Sequence, residues 1–529
     1  VNKRQLYGFH YLKRPHQLMS ELGAEMPQIS EDGMTYRIPI KQGVHFHDDE
    51  CFPDGKGREL KAEDFVYAWK RIANVKTRSK NWWIFDGRVA GLDEFREYSK
   101  GCKKGEVDYA KPVEGLYAED DYTIVIKLTQ PWPQLVYWLA HVPTAPMAKE
   151  AVDHYGQDIM RHPVGTGAYI LKKWHRGVYI EAVRNPNYHH LKFPTEGMPD
   201  DIETGLLADA GKDLPFIDRV IWRVINEDQP RWLLLMRGEI DLITIPKDNF
   251  GQAVSLNQDL TPEMEERDVK LILFDEPGTF YLSFNMEDPV LKNNKPLRYA
   301  INYAIDRVKY IDLILSSKGK PSYGYTPPAM GDFDENISEW SESVYDIKKA
   351  RVAMKDAEKV HGGPIPKLRL ASRTGTAPRQ GSLFLARALN EIGLEVELEF
   401  FDWPTFLERM KNGQHQMFFS GWLADYPDGE NFMQIYYSKN APWPNSSNYV
   451  NPEFDAIYEK ASKMLECPER SELYEKAEKI VVEDMPSVFT YHRTGYIIRH
   501  DWLGNVKPDP YKPDTAGSGY IKYYKIDMD

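Results

Sequence analysis

At 529 residues the chain has room for two to four domains of roughly 100–200 residues each. Its 67 Lys and Arg against 80 Asp and Glu leave a net charge of −13, which argues against nucleic-acid or anionic-membrane binding as its main task, since both need clustered positive charge. A composition 42% hydrophobic and 28% charged excludes wholesale disorder, and the 13% aromatic content stands out, because aromatic rings either fill a core or line a roomy pocket.

The chain opens at Val1 with no initiator Met and no basic segment leading into an apolar run, so it is read as lacking whatever leader its gene encodes. The first predicted element is a hairpin: Glu31-Asp32-Gly33 supplies the turn, and Tyr36, Ile38 and Ile40 alternate with polar neighbours. After a Gly/Asp/Pro-rich stretch, a helix carries Phe65, Trp69 and Ile72 on one face. Residues 123–128 form a further alternating strand. The longest uncharged stretch, 128–147, carries Pro131, Pro133, Pro143 and Pro146, which break a helix, so no membrane span is read and the chain is expected to be soluble. Of the three cysteines, Cys51 and Cys102 share the early segment; a disulfide between them and unpaired thiols are both open.

A second run of strands begins around Gly165–Tyr169, residues 194–215 read as a polar surface loop, and a short helix from Pro230 ends at Gly238 before a strand at 240–245. Pro296 suits a first helical turn, and Leu297, Ile301, Ala304, Val308, Ile311 and Leu315 then form one helical stripe.

Segment 366–421 is the most informative. A strand at 367–372, a helix at 383–392 stopped by Gly393, a strand at 394–400, a helix at 404–412 ended by Gly413, and a strand at 416–420 alternate with short links. That order predicts a parallel sheet with right-handed crossovers, whose ligands bind beyond the carboxyl ends of the strands. Those ends hold Arg373, then Asp402 and Trp403, then Gly421, Trp422, Asp425 and Tyr426. A ligand site accounts for this collection; so do core tryptophans covering the sheet edge, with Asp402 or Asp425 as caps.

Other motifs carry less chemistry. His45 and His47 alternate onto one strand face as a metal pair would, but no later histidine supplies the further ligands, and His189-His190 follows a loop. Gly165-Thr166-Gly167 lacks the third glycine of a dinucleotide loop, and no phosphate loop, nucleophile elbow or zinc-protease motif occurs.

In this order the residues resemble a known family. Val44-His45-Phe46-His47-Asp48 with Leu60-Lys61-Ala62-Glu63-Asp64-Phe65, then Pro163-Val164-Gly165-Thr166-Gly167-Ala168-Tyr169 with Arg184-Asn185-Pro186-Asn187-Tyr188, then Gly238-Glu239-Ile240-Asp241, and Arg298–Arg307 match its signature blocks along nearly the whole chain. They resemble the family 5 extracellular solute-binding proteins of ABC importers, the oligopeptide- and dipeptide-binding group. The resemblance implies an α/β fold of the class II periplasmic binding protein type, two hinged lobes plus an extra domain, with lobe closure as the signal the permease recognises. The implied division is lobe I from 1–42, 166–269 and 489–529, an extra α+β domain at 43–165, and a ligand-closing lobe II at 270–488.

It also implies site residues. The carboxylate at Asp425 would hold a peptide's free amino terminus, Trp403 and Trp422 would line side-chain pockets, and Gly421 and Tyr426 would sit beside the ligand. Met410 and Phe419 stand where oligopeptide binders carry arginines, with Arg409 one step away, so Arg379 or Arg373 is left to hold a ligand carboxylate. Tyr7-Gly8-Phe9 stands where many relatives have a tyrosine followed by glutamate, downstream of a strand, so the chain is expected to lack its true beginning. The expectation is a monomeric periplasmic receptor without cofactor, metal, nucleic-acid partner or catalysis, delivering peptides or related amine-bearing solutes to an inner-membrane permease. An oligosaccharide binder of the same family and a metal-dependent hydrolase using His45 and His47 are the alternatives.

Overall fold

Gly33, at φ +69°, makes the turn expected at Glu31-Asp32-Gly33, and it joins strands Gln28–Ile29 and Thr35–Pro39. The computed structural model describes residues 4–188, 191–255, 257–508, 511 and 520–527. Its contacts divide into two units: residues 1–241 with 501–509 and 517–529, and residues 242–500 with 510–516.

In the first unit, Thr35–Pro39 pairs antiparallel with Thr123–Lys127, giving a four-stranded sheet with Gln28–Ile29 and Leu116–Asp120. The expected boundary at 42/43 therefore cuts through a sheet, and the early hairpin belongs with the segment expected to be separate. The helix Ala62–Ala73 buries Phe65, Trp69 and Ile72, as its spacing requires. A second sheet joins Tyr169–His175, Tyr179–Arg184 and Arg219–Arg223. The loop expected at 194–215 contains a helical turn, Pro199–Glu203, and buries Leu214. Chain ends close the unit: Glu21 pairs with Arg4 at 2.8 Å and Lys522 at 2.7 Å, and Tyr11 stacks on Tyr523 at 4.1 Å.

The second unit is built on one sheet. Its strands, labelled here, are β1 (Leu242–Thr244), β2 (Val269–Phe284), β3 (Gly319–Pro321), β4 (Leu368–Arg373), β5 (Val396–Phe401), β6 (Met417–Leu423) and β7 (Ser487–His500). The order is β1-β7-β2-β6-β4-β5, with β3 on β7. The expected parallel sheet is present as β4 beside β5 and β6, while β2 and β7 run antiparallel, so the sheet is mixed. Expected boundaries at 270 and 488 fall inside β2 and β7; these strands pair along most of their length, and β1 adds to β7, so the unit runs from 242 to 500.

Period-two alternation gives the sheet two cores. Phe280, Leu282, Leu370, Met417 and Phe419 face one, and Tyr281, Ala371 and Phe418 the other. Helices α1 (Lys295–Ala304), α2 (Arg307–Leu315), α3 (Ile347–His361) and α4 (Thr376–Asn390) contribute to the first core. Helices α5 (Trp403–Lys411) and α6 (Pro468–Asp484) contribute to the second. The single stripe expected from Leu297 to Leu315 is two helices: Ile305 is extended, Asp306 caps α2 by accepting the Lys309 N–H at 3.0 Å, and Val308 is 59% exposed.

Candidate functional site

The carboxyl ends of β4, β5 and β6 carry the expected residues. β6 runs to Leu423, so Gly421 and Trp422 are strand residues rather than the loop beyond it. Gly421 lies opposite Phe280 of β2, where an added Cβ would fall 2.6 Å from that ring. The Phe280 ring is itself stacked on Tyr491 at 4.6 Å and covered by the Arg493 guanidinium at 4.7 Å. Gly421 thus acts by lacking a side chain.

Trp422, on the opposite face, packs half-buried against the second core and donates its indole N–H to Asn431 Oδ1 at 2.8 Å. The same oxygen accepts the Asp425 backbone N–H at 3.1 Å, so one buried side chain fixes strand end and loop together. The Asp425 carboxylate has no cation within ion-pair distance among the described residues. Burial pushes its pKa up to about 6; the Asn431 side chain is the one neighbour favouring the ionised form, and its Nδ2 closes no full hydrogen bond.

Three residues on, Asp428 is 4% exposed and fully matched. It pairs with Arg470 of α6 and accepts from the Tyr474 hydroxyl at 3.1 Å and the Glu430 N–H at 2.9 Å. Gly429 donates its N–H to Asp332 at 3.1 Å. Tyr426 is 3% exposed and donates its hydroxyl to Glu430, which also accepts from Tyr458. Tyr426, expected beside a ligand, is thus engaged through its hydroxyl in anchoring the loop.

Beyond β5, Asp402 accepts the Thr405 N–H at 2.9 Å and caps α5. Trp403, the next residue, is 48% exposed, with the Arg373 guanidinium from the end of β4 at 5.2 Å over its ring. Arg379, near the start of α4, lies 4.4 Å over Phe400. Trp403 meets Phe406, and Phe406 belongs to the core that Trp422 borders, so the tryptophans share one aromatic foundation. Met410 and Phe419 are core residues, and Arg409 is engaged by Phe401 at 4.4 Å and Glu399 at 3.9 Å.

Asn431 and Trp443 were not found from sequence. No pattern marks Asn431, whereas Pro442-Trp443-Pro444 is a rigid, legible motif. The Trp443 ring meets Trp422 at 6.0 Å.

Among the described residues the remaining candidates are not assembled into sites. His45 is exposed with Nδ1 3.0 Å from the Gly43 carbonyl, while His47 is buried with Nδ1 3.1 Å from the Gly165 carbonyl, so they do not share a face. His189 and His190 lie outside the described residues. Among the described residues no group of three or more His, Cys, Asp or Glu side chains is arranged to hold a metal ion, and the hydrolase alternative has no support. Cys51, Cys102 and Cys467 are unpaired thiols, which sets aside the disulfide option. Among the described residues no helix is long and apolar enough to cross a membrane.

Comparison with known proteins follows the same lines. The family model for bacterial extracellular solute-binding proteins, family 5, middle region, matches residues 18–443. A relative from Pseudomonas aeruginosa (strain UCBPP-PA14), named probable di/tripeptide-binding protein 5, is 23% identical over 92% of this chain and 84% of its own. The periplasmic oligopeptide-binding protein OppA of Escherichia coli (strain K12) is 26% identical over 87% of this chain and 78% of its own. Among solved structures, the ABC transporter-associated periplasmic binding protein DppA from Helicobacter pylori, in complex with peptide STSA, superimposes with a TM-score of 0.72 at 24% identity, covering 100% of this chain and 92% of that one. These names carry peptides and no oligosaccharide.

Proposed function

This chain belongs to the bacterial extracellular solute-binding proteins of family 5, and on that premise we propose that it captures peptides, or related solutes with a free amine, for import by an ABC permease of the inner membrane. The observation that carries the reading is Asp425, a half-buried carboxylate with no cation in ion-pair distance among the described residues, held by Asn431 at the end of β6. An ammonium brought to it supplies the missing charge through charge-assisted hydrogen bonds, of about 1.5–3 kcal/mol each. Trp403 and Trp422 offer flat apolar faces for the ligand's side chains, and Gly421 leaves room for the Phe280 ring beside β6. Arg373, exposed over Trp403, and Arg379 are the cations that receive a ligand carboxylate. The peptide-binding names of the relatives support the same ligand class. In this reading the protein works in the periplasm as a monomer, breaks no bond and needs no cofactor.

Isothermal titration with di- to pentapeptides, their N-acetylated forms and cello-oligosaccharides tests it, alongside mass spectrometry of ligand carried through purification. Free peptides are expected to bind at least about tenfold tighter than acetylated ones, the equivalent of about 1.4 kcal/mol. Equal binding of the two forms removes the role given to Asp425, and binding of sugars alone overturns the ligand class.

A further inference from the structure

Asn431 joins Asp425 to Trp422, and the contacts continue outward from there. The second indole, Trp443, meets the Trp422 ring at 6.0 Å with 56° between their planes. It is 37% exposed, and its N–H has no acceptor among the described residues. Proline on either side limits the backbone that carries it. Lys411, the last residue of α5, is exposed and sets its ammonium 5.2 Å over the Trp443 ring, with no carboxylate in ion-pair distance among the described residues. Neighbouring cations of the unit are treated differently: Lys439 is matched by Glu459 at 2.6 Å and Lys460 by Glu469 at 2.6 Å.

An aromatic wall with an unused N–H donor and an unmatched ammonium is complementary to an apolar stem ending in a carboxylate. The indole faces shed water on to a short methylene chain, while the ammonium and the Trp443 N–H bind its oxygens. We propose that Trp422, Trp443 and Lys411 form a subsite for an acidic side chain near the free amino terminus of the ligand. The inference rests on the reading of Asp425 as the amine site, because Asn431 ties that site to this one.

A cation this exposed gives a preference of moderate size, about fivefold between Glu and Gln at the matching position. Titrations with Glu-Ala-Ala, Ala-Glu-Ala, their Gln counterparts and Ala-Ala-Ala, on the wild type and the Lys411→Met and Trp443→Leu variants, test it. One of the two Glu peptides is expected to bind about fivefold tighter than its Gln counterpart in the wild type. That preference is expected to vanish in Lys411→Met while Ala-Ala-Ala binds unchanged, and to shrink in Trp443→Leu. Glu and Gln peptides bound equally by the wild type, or a preference surviving Lys411→Met, would overturn the subsite and leave the amine site standing. Failure of the wild type to bind any of these peptides, Ala-Ala-Ala included, would overturn both.

Discussion

Asp425 and Asp428 are three residues apart on one loop, and their surroundings are opposite. Asp428 is buried with Arg470, the Tyr474 hydroxyl and a backbone N–H around it, so its charge is matched inside the protein. Asp425 has a backbone tie to Asn431 and, among the described residues, no cation, and burial pushes its pKa up to about 6. Burying a charge is unfavourable unless a partner is present. In the proposed reading, a ligand ammonium satisfies the carboxylate that is kept without a partner beside another that is fully matched. The internal cation, Arg470, anchors the loop, and the ligand would supply the second.

The largest expected effect breaks the matched half of this pair. Arg470→Ala leaves Asp428 buried and unpaired, and urea unfolding should show a loss of about 3–5 kcal/mol. A loss below about 1 kcal/mol would mean that the ion pair does not anchor the loop.

Next in size is the unmatched half. Asp425→Asn should lose at least about tenfold in affinity for free-amine peptides. Its effect on ligand-free stability has the opposite sign. The folded pKa lies at about 6 against an ordinary 3.8, so between these values the folded state binds more protons than the unfolded state. Wild-type stability therefore falls as pH rises through that window. The Asn variant escapes this, and at pH 8 it should be more stable than the wild type by about 1–2 kcal/mol, with the gain gone by pH 3. An Asn variant less stable than the wild type at pH 8 would contradict the account.

The smallest expected effect comes from a third carboxylate. Asp402→Ala removes the cap of α5, so the urea midpoint should drop slightly while discrimination between free and acetylated peptides stays intact. A collapse of that discrimination would place Asp402 in the amine site.

Much of this lobe was legible in the sequence. The alternation of short strands and helices through 366–421 predicted parallel pairing, and it placed Arg373, Trp403 and Trp422 at strand ends. Asp402 appeared equally as site or cap, since a short acidic side chain before Trp-Pro suits both, and only its bond to Thr405 separates them. Helix α4 begins at Thr376 rather than 383, because Pro378 is tolerated in a first turn and Gly381 is needed where Tyr310 packs, with its hydroxyl 2.3 Å from an added Cβ. The burial of Tyr426 and the roles of Asn431 and Arg470 depend on partners distant in sequence or on side-chain direction, which periodicity does not encode. The limits of the lobe were hidden for the same reason, since β2 and β7 pair across about two hundred residues.

In the proposed reading Asp425 gives up its proton to take a ligand's ammonium, and proton linkage measures that exchange directly. Titrating Ala-Ala-Ala into the protein at pH 6 in buffers of differing ionisation enthalpy counts the protons exchanged. Asp425 is about half protonated there, and an ammonium beside it lowers its pKa, so the account predicts release of about half a proton per peptide bound and none from Asp425→Asn. No release by the wild type, or equal release by the variant, would contradict it.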